Sequence, residues 1–109
     1  MTDKERELVQ QLLEKTRAKT IPWEATADEN EFVAPFKGQA TFTISRDPSE
    51  VFRLVMRNVE NREMLEVDSL SGLANDAQQL ATLYRAAHDS ALNVEETLDA
   101  ILKDLRKVS

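Results

Sequence analysis

The sequence predicts an α+β domain with an N-terminal helix, an antiparallel meander of four or five short strands, and two C-terminal helices packed on one sheet face. Three observations lead there. Apolar residues recur at helical spacing near both ends of the chain, alternate with polar residues through the middle, and are interrupted there by turn-forming residues. The 109 residues suit one hydrophobic core, so residues 1–109 are read as a single domain.

The first helix opens at Thr2, which forms a capping box with Glu5. Leu8, Val9, Leu12, Leu13 and Thr16 then make one stripe. Lys15, Arg17 and Lys19 crowd its end, where cations complement the negative pole, and Pro22 is expected to stop it. Trp23, Ala25 and Ala27 form a first short strand that turns at Asp28-Glu29-Asn30. Phe32, Ala34 and Phe36 alternate with Glu31, Val33 and Pro35. After a tight turn at Lys37-Gly38, Ala40, Phe42 and Ile44 alternate with Thr41, Thr43 and Ser45.

Asp47-Pro48-Ser49-Glu50 is the next turn, with proline in the place its fixed φ favours. Phe52, Leu54 and Met56 alternate with Arg53, Val55 and Arg57, and Glu60-Asn61 leads to a last strand from Met64 to Asp68. A loop spans Ser69 to Ala74. Asn75 with Gln78 caps a helix whose inner face is Ala77, Leu80, Leu83, Tyr84, Ala87 and Ala91. Asn93 with Glu96 caps a final helix with Val94, Leu98, Ile101, Leu102 and Leu105 turned inward.

Composition narrows the function classes. The chain has no cysteine, so neither disulfides nor thiolate metal sites hold it, which fits a reducing compartment. Met1 to Glu7 carries charges where a secretory signal needs an apolar run, and no stretch nears the ~18 apolar residues of a membrane span. A soluble, cytoplasmic protein with no membrane partner is the expectation. The net charge of −6 disfavours direct nucleic-acid binding, because such binders neutralise phosphates with Lys and Arg. No region offsets this: residues 1–22 carry five bases against four acids, and every later region has more acids than bases.

No catalytic, cofactor-binding or metal-binding residue is assigned. His88 is the only histidine, and Ser90 two positions on points elsewhere on a helix, so they make no nucleophile–base pair. His88 is read as a helix-edge residue packing its ring on a neighbour. Asp28 to Glu31 lack the alternating spacing and glycine of a calcium loop and read as a solvated turn. Gly38 and Gly72 are too far apart for a phosphate loop, so no small-molecule cofactor is called for. A helix-turn-helix reading of the last two helices meets Glu95, Glu96 and Asp99, whose charge opposes phosphate.

The candidate partner-binding residues lie on the sheet face turned from the helices: Thr41, Thr43, Arg53, Val55 and Arg57. β-Branched residues beside arginines suit a docking surface, although such a face can equally meet water. Trp23 joins them as a candidate interface anchor, with core packing as its other reading. An apolar excess on one exposed helix face would mark a dimer, and periodicity leaves the oligomeric state open.

At fold level, the order helix, meander, two helices resembles small acidic bacterial chaperones and immunity proteins. The resemblance implies action by binding another protein, and fold alone does not fix function. The leading expectation is therefore a small acidic, non-enzymatic protein-interaction module, an accessory subunit, chaperone or inhibitor, binding a protein partner or itself. One alternative is an acidic mimic of nucleic acid that blocks a basic site. Another is a small carboxylate-based enzyme, which requires a pocket where two acids converge.

Overall fold

Helix α1 (Asp3–Arg17) opens at the predicted capping box in a computed structural model that describes residues 1–70 and 74–108. The Thr2 hydroxyl accepts from the Glu5 amide at 3.2 Å, and the Thr2 amide donates to Glu5 Oε1 at 2.7 Å. The helix ends before Pro22 is reached. Lys19 adopts the left-handed conformation (φ 62°), its amide donates to the Thr16 carbonyl, and the Thr20 amide donates to that of Lys15. These paired bonds are a Schellman motif, so backbone geometry rather than proline terminates the helix.

Five strands follow: β1 (Glu24–Ala25), β2 (Glu31–Phe36), β3 (Ala40–Arg46), β4 (Phe52–Asn58) and β5 (Glu63–Asp68). They pair in sequence order, every neighbour antiparallel, which is the predicted meander. An Asp or Asn side chain shapes three of the turns. Asp28 Oδ1 accepts the Asn30 amide at 2.9 Å. Asp47 Oδ1 accepts the amides of Ser49 and Val51, and Asn58 Oδ1 accepts those of Glu60 and Arg62. The fourth turn relies on positive φ at Lys37 (49°) and Gly38 (68°). Between Met56 and Arg57 the register shifts by one, which leaves Met64 of β5 as the extra residue of a β-bulge.

Register sorts the side chains. Phe32, Ile44, Leu54 and Val67 stand opposite one another across four strands, and all are buried. Ala34, Phe42, Met56 and Leu65 form a parallel row. Helix α2 (Ala74–Ala91) lays Leu80, Leu83, Tyr84 and Ala87 on this face, and α1 runs beside α2 and adds Val9 and Leu12. Asp76, buried in the first turn of α2, takes both the Nε and Nη2 of Arg6 (3.0 and 3.3 Å) and joins the starts of the two helices. Hydrogen bonding to that carboxylate, and then its charge, hold the Arg6 guanidinium above its ordinary pKa.

Two capping expectations change. Helix α2 already includes Asn75, so Asn75 is not its cap, and residues 71–73 of the predicted loop lie outside the described residues. Asn93 is left-handed (φ 51°) and its side chain makes no capping bond. It acts as the terminator of α2, a role asparagine fills because it tolerates that conformation.

Helix α3 (Val94–Lys107) departs further from expectation. It was predicted to lie inward beside α2, yet Leu98, Ile101, Leu102 and Leu105 are 48–60% exposed. Its packing is sparse and chiefly against α2. The molecule measures 54 × 32 × 25 Å, with a radius of gyration of 15.5 Å. A compact chain of this length has about 13 Å. The left-handed turn at Asn93 sets the direction of α3, which packs chiefly against α2 rather than on the sheet.

Gly38 has no atom within 4 Å of where a Cβ would stand. Gly38→Ala is therefore expected to cost about 1 kcal/mol from backbone strain alone, read by urea unfolding. A neutral result would mean that the β2–β3 turn is not left-handed there.

Candidate functional site

Most of the residues singled out in the sequence share one surface. Thr41 stands opposite Arg57, Thr43 opposite Val55, and Ser45 opposite Arg53, all on the sheet face turned from α1 and α2. Val33 and Glu66 extend the middle row, so Val33, Thr43, Val55 and Glu66 run across four strands. Among the described residues, no helix covers this face. The side chains shield one another into partial burial. Arg53 Nε lies 2.8 Å from Glu66 Oε1, an ion pair whose N–H is not aimed at the oxygen. Exposed pairs of this kind contribute between 0 and about 1 kcal/mol, so the face is a balanced polar surface rather than a charged one.

Trp23, the candidate interface anchor, packs in the core. It is 4% exposed, and its indole Nε1 donates to Thr16 Oγ1 at 2.8 Å. That hydroxyl in turn donates to the Leu12 carbonyl at 2.6 Å. The relay fastens the Ile21–Trp23 segment to α1, and the sequence hint was Thr16 in the apolar stripe, a polar residue one helical turn past Leu12. The β-edges are unequal. β1 is two residues long, while β5 is a full edge strand carrying Glu63, Glu66 and Asp68.

His88 packs its ring edge-on against Phe32, centroids 5.6 Å apart, and beside Tyr84 at 6.4 Å. Its Nδ1 lies 3.0 Å from Asp89 Oδ1. Asp28, from the acidic turn, is engaged in shaping that turn, as described above. Among the described residues no three His, Cys, Asp or Glu side chains gather as a metal site, and no helix is long and apolar enough to cross a membrane.

Two grooves flank α1. One of about 430 Å³ runs between Leu8, Leu12 and Ile21 on one side and Phe36, Lys37 and Phe42 on the other. The wider one, about 740 Å³, lies between the end of α1, α2 and the start of α3. Ile21, Trp23 and Ala86 contribute apolar lining, Arg17 and Arg85 basic groups, and Asp89 and Glu96 acids. Leu98 of α3 also faces this groove, so the stripe Leu98, Ile101, Leu102 and Leu105 continues its apolar lining outward.

The exposed stripe on α3 is the largest departure from the sequence reading, which had assigned those residues to the core. Their spacing did identify an amphipathic helix. The missing information was which element, if any, covers that helix. Comparison with family models, with curated proteins and with solved structures gives no match for this chain.

Proposed function

We propose that this protein is a non-enzymatic protein-interaction module that docks a partner through the apolar face of α3. The observation that supports the reading is the exposure of Leu98, Ile101, Leu102 and Leu105 by about half on one helix. Fully burying such a side chain stabilises by about 1.5–3 kcal/mol, so covering the exposed halves of the four contributes roughly 4 kcal/mol. Four large apolar residues on one stripe are more than the scattered exposure of an ordinary surface. The adjoining groove meets the stripe at Leu98. An accessory subunit, a chaperone and an inhibitor all work in this way.

The outer sheet face is a second surface, favoured by its uncovered row Val33, Thr43 and Val55 beside Arg53 and Arg57. The two surfaces are separable by mutation because neither lies in the core.

Affinity capture with the tagged full chain tests the reading against two variants. Leu98→Asp with Leu102→Asp is expected to abolish retention of a specific partner, while Arg53→Glu with Arg57→Glu preserves it. The reverse pattern moves the docking surface to the sheet, and retention by both variants removes the two surfaces together. Stability provides a control. Leu98→Ala is expected to change unfolding free energy by less than about 0.5 kcal/mol, as at other exposed positions, whereas Leu54→Ala in the core costs about 3 kcal/mol. A large loss at Leu98 in denaturant titration of dilute protein would place α3 inside the fold.

A further inference from the structure

Resting on the docking role proposed for α3, we infer that the occupant of its stripe is a second copy of this chain, the two α3 helices pairing antiparallel about a two-fold axis. The first argument is spacing. Val94, Leu98, Ile101 and Leu105 follow one another by steps of four, three and four, the seam of a helix pair, and Leu102 widens it. Leu98, Ile101 and Leu105 are all about half exposed or more.

The second argument is charge, which also sets direction. The amino-terminal half of α3 carries Glu96 and Asp99, and the carboxy-terminal half carries Lys103, Arg106 and Lys107. Asp99 and Arg106 are two turns apart and therefore flank the same edge of the stripe. In an antiparallel pair, like edges meet with opposite ends together. Asp99 of one copy then faces Arg106 of the other, and two-fold symmetry repeats the contact. On the opposite edge the same axis sets the Asp104 side chains of the two copies within a turn of each other, one like-charge contact against the two attractive ones. A parallel pair would instead bring acidic end to acidic end and basic end to basic end.

Acids near a helix start also suit its dipole, but that effect fades beyond the first turn, and Asp99 lies past it. The other route to self-association is less favoured. Joining two β5 edges would bring the acids Glu63, Glu66 and Asp68 of one copy against those of the next. A 14-residue helix is about 21 Å long, so the paired surface is small and the dimer is a weak one.

Sedimentation of the full chain from about 1 to about 500 µM tests the pairing, a range chosen for an interface of this size. The wild type is expected to pass from monomer to dimer, and Ile101→Asp to remain monomeric with an unchanged circular dichroism spectrum. Asp99→Arg and Arg106→Asp should each weaken the dimer about tenfold by opposing like charges twice. Mixing these two variants restores both attractive contacts and should return wild-type affinity as a heterodimer. A wild type that is monomeric throughout, or a mixture no tighter than its components, overturns the inference. If the monomeric chain still binds a different protein through an Ile101-sensitive contact, self-pairing fails and the docking role stands. If that contact is absent too, both fail.

Discussion

The sheet offers a single apolar face, and its width governs the rest of the structure. Five strands about 4.8 Å apart span roughly 19 Å, enough for two helices lying side by side at about 10 Å each. Helices α1 and α2 take those two places, locked to each other at their starts by Arg6 and Asp76 and anchored to the segment before β1 through Thr16 and Trp23. Helix α3 takes no place on this face and packs chiefly against α2. Asn93, in a left-handed turn, redirects the chain at the point where a third helix would otherwise compete for the same surface.

This explains which parts of the fold were legible in the sequence. Strand positions and register follow from strict alternation, because shifting any strand by one residue would turn Phe32, Ile44 or Leu54 outward. The turns were legible because Asp47 and Gly38 are chemically suited to them. The fate of α3 was not. Amphipathic spacing says that a helix has an apolar side without saying what covers it, and covering depends on how many helices the sheet can seat. Asn93 carried a related ambiguity, since asparagine serves both to start one helix and to end another.

The candidate site was legible in part for similar reasons. Alternation placed Thr41, Thr43, Arg53, Val55 and Arg57 together on the outer face, which is where they lie. Trp23 packs in the core, where its indole N–H finds an acceptor in Thr16. The surplus of the fold therefore shifts from the sheet to the final helix, where apolar surface and an ordered charge gradient coincide. In this account, the body folds around α1, α2 and the meander, and α3 stays outside that core.

Amide hydrogen exchange at two protein concentrations measures that division most directly. The account predicts that at low concentration α2 and β2 to β4 exchange slowly while α3 exchanges near the rate of a marginal surface helix. Raising the concentration should slow exchange in α3 alone. Protection of α3 equal to that of α2 at the lowest concentration would contradict it, because the helix would then be packed within its own chain.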